Sequence, residues 1–163
     1  ITVRDCSSMG GMYCPVDRLY GRIVFPIKDG EKIVGWQGRS VYGRTPKYLI
    51  FGKKSLGMYN MKPLQYYNKF VIIFEGIFDV FKVPHYGISI LGKKLSDVQL
   101  RMISTFLQVN TVFIMLDSDA NKEEMAMCKT LNPFFKTVPI QLQTGDPGNL
   151  SELEILELCL TQK

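Results

Sequence analysis

Four apolar runs alternate with segments of helical spacing through the second half of the chain. Residues 70–74 (FVIIF), 87–91 (GISIL), 111–116 (TVFIML) and 137–142 (TVPIQL) are short, β-rich and apolar at nearly every position, so they are read as strands. Between them, residues 77–83 begin a helix that Pro84 stops, 95–107 show helical spacing with Ser96 and Asp97 as capping residues, 120–131 form another helix, and 150–160 an amphipathic one. Strands apolar on both faces and alternating with helices indicate a mostly parallel sheet covered on both sides. The first half reads differently. Residues 22–26 (RIVFP) and 32–37 (KIVGWQ) are joined by Lys28-Asp29-Gly30-Glu31, whose Asp-Gly pair favours a tight hairpin, and a short strand follows at 48–51. This half is strand-rich and antiparallel, with a loop-rich surface dense in Gly, Lys, Arg and Tyr over 38–57. The fold class is α/β: a strand-rich lobe over 1–66, then a Rossmann-like lobe over 67–163, with the boundary falling within 62–69.

Charge sharpens this division. Residues 1–69 carry twelve Lys and Arg against four acids, whereas the rest carries eight against eleven, although the chain as a whole is only +5. A basic half joined to an acidic half suits a polyanion on one side and divalent cations on the other, and an ordinary solvated surface would look the same by charge alone. No run approaches the roughly 18 apolar residues of a membrane span, and the start lacks the pattern of a signal peptide, so a soluble, cytoplasmic protein without a membrane partner is expected. Because it opens on Ile1, the chain is expected to have been cut from something longer. Cys6, Cys14, Cys128 and Cys159 have no C-x-x-C spacing and His85 stands far from them, which argues for reduced cysteines and against zinc. Trp36, Tyr66, Tyr67, Phe70, Met125 and Met127 are read as core, and no Walker loop is present.

The acids sit where such a sheet does its chemistry. In open parallel sheets ligands gather beyond the carboxyl ends of the strands. Glu75 follows the first apolar strand, with Asp79 one helical turn on; Asp117 and Asp119 follow the third, and Asp146 lies in the loop after the fourth. Acids at three strand ends converge if the sheet forms, and Mg²⁺ takes one or two carboxylates with waters and phosphates. Two such ions stabilise the attacking and leaving oxygens of phosphoryl transfer. Asp119 and Asp146 also fit caps or turns, and Asp79 a solvated helix position.

At these residues the chain resembles a known family. FVIIFEGIFDVF, SILG, VFIMLDSDANKEEMA and GDPGNL look like successive motifs of a Toprim domain. Upstream, RIVFPIKDGEKIVGWQGRSVYGRTPKYL is similar to the basic lobe that precedes the Toprim lobe in DnaG-type bacterial and phage primases, so the resemblance spans residues 18–150. It implies a nucleotidyltransferase that makes short RNA primers on single-stranded DNA from ribonucleoside triphosphates. Glu75 would be the acid/base or metal-organising group, and Asp117 and Asp119 the main ligands of Mg²⁺ or Mn²⁺, with Asp79 and Asp146 completing the set. Arg39, Lys47 and Tyr48, helped by Lys53 and Lys54, would contact template or nucleotide; Arg and Lys pair with phosphates and Tyr offers a stacking face. A replicative helicase and a zinc-binding module, fused or separate, are the implied partners. The chain departs from the pattern at Ile50, where Asn is usual, at Gly148, where a second Asp is usual, and at Lys93 and Lys94, where small polar residues are common. These departures suggest a compact, divergent phage member. A Toprim nuclease using the same acids and a non-catalytic nucleic-acid-binding module are the alternatives.

Overall fold

The computed structural model describes residues 2–65, 68–105 and 108–162. A parallel sheet is built from β5 (Phe70–Phe74), β6 (Gly87–Ser89), β7 (Thr111–Met115) and β8 (Lys136–Pro139), in the spatial order β6-β5-β7-β8. Alternation assigns its apolar residues to two faces. Val71, Ile73, Val112 and Ile114 pack on Met102 and Ile103 of α4 (Asp97–Ser104) and on Met127, Cys128 and Leu131 of α5 (Asn121–Leu131). Ile72, Phe74, Phe113 and Met115 pack on Ile77 and Val80 of α3 (Ile77–Val80) and on Ile155 and Cys159 of α6 (Glu152–Thr161). Continuous apolar strands are what a sheet buried on both faces requires.

The second sheet is antiparallel, in the order β1 (Met12–Cys14), β2 (Arg22–Asp29), β3 (Lys32–Ser40) and β4 (Tyr48–Gly52). Asp29 pairs with Lys32 across a turn in which Gly30 takes φ +56°, and the register shifts by one at Ile27/Lys28. The two sheets share a core. Phe25 and Ile27 of β2 belong to the cluster that holds Phe74 and Ile77, while Met58, Met61 and Leu64, the last in the single turn α2 (Lys62–Gln65), belong to the other. Phe25 makes edge-on contacts with Tyr59, Phe78 and Phe81 at 5.6–5.7 Å.

Several expectations need adjusting. The helix read over 77–83 is α-helical only to Val80, because the next amides bond three residues back: Lys82 N–H to the Asp79 carbonyl and Val83 N–H to Val80, before Pro84. Strands β2 and β3 run past their expected ends, and β1 and α1 (Val3–Ser8), the latter capped reciprocally by Thr2 and Asp5, were not foreseen. Met125 is 44% exposed and Trp36 only half-buried, so neither is core, whereas Met127, Cys128 and Cys159 are buried. Tyr66 and Tyr67, the expected division between 66 and 67, and the end of the helix read to 107 lie outside the described residues. Among the described residues no helix is long and apolar enough to cross a membrane.

Candidate active site

Chain order reverses across the sheet between β5 and β7: β6 follows β5 on one side, and β7 and β8 lie on the other. That is where an open sheet leaves a crevice beyond its carboxyl edge. Phe74 pairs with Met115, so Glu75 and Leu116 leave the sheet at one level and Asp117 follows. The loops are pinned by buried polar groups. Ser89 Oγ donates to the Glu75 carbonyl at 2.9 Å and accepts the Leu91 N–H at 3.1 Å. Glu124, 2% exposed, accepts the Leu116 N–H at 3.3 Å on one oxygen and leaves the other unpartnered, and the Ser118 N–H donates to the Gly145 carbonyl at 3.1 Å, joining the loops of Asp117 and Asp146.

A cleft of about 750 Å³ separates this acidic edge from the antiparallel sheet. Glu75, Asp79, Asp117 and Asp146 line one side; Arg39, Lys47, Tyr48 and Lys54 line the other. The acids act on one another across the cleft edge. Burial raises the Glu75 and Asp117 carboxyls above the usual range, and the charge of Asp117 acts on Glu75 as that of Asp146 acts on Asp117. Asp79 is pushed up to about 7, by burial first and then by Asp117, against the pull of the Gly76 N–H that its Oδ2 accepts at 3.1 Å. Gly148, the position where the resemblance leads one to expect an acid, leaves room for two others. A Cβ there would stand 2.8 Å from Asp146 Oδ1 and 3.0 Å from Asp79 Oδ1.

On the basic side, Arg39 lies 4.5 Å over the Phe78 ring of α3 and 5.2 Å over Tyr48, and donates to the Tyr48 hydroxyl. Lys47 Nζ stands 5.6 Å from the same ring. Arg22 is 3% exposed and its guanidinium donates to the Pro46 and Lys47 carbonyls at 2.7 and 3.1 Å, tying the segment that carries Lys47 and Tyr48. Lys54 Nζ donates to the Leu91 carbonyl at 2.8 Å; Leu91, with φ +65°, is a bulky residue in the left-handed region, held by this bond and by Ser89.

Two predicted residues fall outside this lining. Lys53 is exposed at the turn before Lys54, and Asp119 is 73% exposed with its carboxylate on Lys93 Nζ at 2.6 Å, which holds it below the usual carboxylate range. Conversely, Cys6, Gln37 and Phe78 line the cleft although nothing in the pattern pointed to them; Cys6 comes from α1, whose only sequence signal is the Thr2–Asp5 capping box.

Among the described residues no three acids, cysteines or histidines stand close enough to form a cage of protein groups alone. Glu75 Oε2 is nevertheless buried without a partner at the edge of the cleft, and hard oxygens facing an open space are what an ion completed by waters and phosphates uses.

A basic sheet facing an acidic carboxyl edge across one cleft defines a two-sheet α/β protein with the fold of primase catalytic cores. The solved structure of the Aquifex aeolicus primase, zinc binding and RNA polymerase domains, matches 91% of this chain and 42% of its own with a TM-score of 0.75 at 24% identity. A DnaG primase catalytic domain bound to ssDNA matches 98% of this chain and 57% of its own with a TM-score of 0.72 at 21% identity. No family model matches the sequence. The DNA primase of Staphylococcus epidermidis is 37% identical over 155 residues, 82% of this chain. The chain belongs to the DnaG-type DNA primase family, and spans about a quarter (25%) of the length of that relative.

Proposed function

We propose that this chain is the catalytic core of a primase, a nucleotidyltransferase that joins ribonucleotides on a single-stranded DNA template. The observation that carries the reading is the cleft itself, with Glu75, Asp79, Asp117 and Asp146 facing Arg39, Lys47 and Lys54. Template phosphates run along the basic sheet, where Lys47 and Arg39 attract them and the Tyr48 ring takes a base face. A solved DnaG primase catalytic domain of the same fold is bound to ssDNA, which supports a single-stranded template as the ligand. The triphosphate of the incoming nucleotide lies between Lys54 and the acidic edge.

Asp117 would hold Mg²⁺ or Mn²⁺, with Asp79 and Asp146 beside it and Asp119 available once released from Lys93, and an ion held there would neutralise the acids and the phosphates they face. Glu75, whose affinity for a proton is raised by burial and by Asp117, accepts the proton of the 3′-hydroxyl as that oxygen attacks the α-phosphorus in line. The bond to the bridging oxygen breaks and pyrophosphate leaves. The pairing of Arg39 with Tyr48 and Phe78 holds the template side still, so the gain is chiefly positional. A zinc-binding module, present with the polymerase domain in the Aquifex structure, and a replicative helicase are the partners this reading implies, in the cytoplasm of a bacterium or a phage-infected cell.

The test is dinucleotide synthesis on a labelled single strand with Mn²⁺, with and without ribonucleoside triphosphates. Products that need both template and triphosphates, and that vanish in the Asp117→Ala, Asp119→Ala double variant, are expected. Glu75→Gln should lose synthesis by about 10²-fold or more while still binding the strand. Shortened strands without triphosphates would make the chain a nuclease; no product from a chain that binds DNA as Glu75→Gln does would make it a binding module.

A further inference from the structure

A second pocket of about 550 Å³ lies at the opposite end of the parallel sheet, at the amino ends of its strands, where the primase reading places nothing. Its floor crosses all four strands, from Tyr86 before β6 through Phe70 and Phe113 to Val138, a width of roughly 14 Å at the spacing of neighbouring strands. Phe70 stacks on Tyr86 at 4.7 Å with the rings 10° apart and meets Phe113 edge-on at 5.5 Å. Phe70 and Tyr86 are only partly buried, packed against the core on one side and lining the pocket on the other.

The rim is cationic. Lys69 and Lys136 both line the pocket, no acid does, and among the described residues neither lysine is in an ion pair. The Asn110 carboxamide and Thr111 hydroxyl beside them make no hydrogen bond within the described residues, although the backbone there is fixed by the Lys69 carbonyl accepting the Asn110 and Thr111 N–H groups at 2.8 and 3.1 Å. A rigid aromatic floor, two unpaired cations and two unspent hydrogen-bonding groups select a ligand with a flat ring, a polar edge and an anionic tail. Inorganic phosphate would have no use for the rings, and a purely apolar ligand none for the lysines.

We propose that this pocket binds a nucleoside phosphate, its base against Phe70 and Tyr86 and its phosphate between Lys69 and Lys136, without a divalent ion. The inference goes beyond the primase reading and stands apart from it, since no residue is shared with the cleft.

Photolabelling with 8-azido-AMP in EDTA, followed by peptide mapping, tests it alongside calorimetric titration with AMP and with inorganic phosphate. The label is expected in the peptides of Phe70 or Tyr86, and the surface variant Lys69→Glu, Lys136→Glu, checked for folding by circular dichroism, should weaken AMP binding about tenfold or more. Lys47→Ala, Lys54→Ala should leave that binding within about twofold. Label on Tyr48, loss of binding in the Lys47→Ala, Lys54→Ala variant, phosphate binding as tightly as AMP, or no binding in EDTA would each overturn the proposal, while the primer-synthesis test above would be untouched.

Discussion

Asp79 shows how much of the site lives in single side chains. It is 9% exposed, one oxygen caps Gly76, and the other shares the space above Gly148 with Asp146. Its carboxyl, raised from 3.8 to about 7, keeps a proton in the folded chain that the unfolded chain has already released. The folded state therefore binds more protons than the unfolded one between about pH 4 and pH 7, and stability falls as pH rises through that window. Asp79→Asn keeps an acceptor for the Gly76 N–H and removes the titration. Urea denaturation should find the variant more stable than the parent above about pH 7 and level with it below about pH 4; a parent whose midpoint does not fall across that window would refute this. The acids that could be read from the sequence, Glu75 and Asp117, were legible because each directly follows an unbroken apolar strand. Asp119 could be read as an acid but not as paired with Lys93, since the pairing joins loops 26 residues apart. Ser89, buried among apolar neighbours, gave no signal at all, because a hydrophobic pattern records burial and not hydrogen bonds.

Elements of the parallel sheet were legible because their apolar runs are long and double-faced; those of the basic half were legible only where a turn marked them. Strand β1 has three residues, two of them exposed, too short for alternation to register, and it exists because β2 offers it an edge. The loop before β4 is organised by tertiary contacts that no local pattern carries. Arg22 on β2 reaches across to the Pro46 and Lys47 carbonyls while Arg44 stacks at 4.9 Å on Tyr20. Gln99 does the same for the turn that carries Lys54, donating to the Gly57 and Ile90 carbonyls at 2.9 Å each. Arg22→Ala should cost about 1.5–3 kcal/mol, the range for hydrogen bonds from a charged donor, and free the segment of Lys47 and Tyr48. The expected result is a lower denaturation midpoint with weakened single-strand binding and an unchanged affinity for divalent ions, read by Mn²⁺ titration. Equal loss of both affinities would show that Arg22 supports the whole fold rather than its template side.

For the whole molecule the decisive feature is that opposite charges are held apart until a cleft brings them face to face. The excess of Lys and Arg over residues 1–69 lies mainly on the antiparallel sheet and its loops, and the excess of acids on and around the parallel one. The sequence showed the segregation but not the facing, which depends on Phe25 and Ile27 packing into the other sheet's core. This arrangement makes single-strand binding an electrostatic event on one side only. Each phosphate neutralised on a single strand releases counterions and contributes about −0.7 to the slope of log K against log salt. If Lys47 and Arg39 each meet one phosphate, Lys47→Ala should flatten that slope by about 0.7, and Glu75→Gln or Asp117→Ala should leave it unchanged or steepen it, since removing an acid from the cleft removes repulsion. Filter binding of a labelled oligonucleotide over a salt series measures this directly. A slope that ignores Lys47 yet responds to Lys69→Glu, Lys136→Glu would put the strand on the opposite end of the parallel sheet, and the template path through the cleft would have to be abandoned.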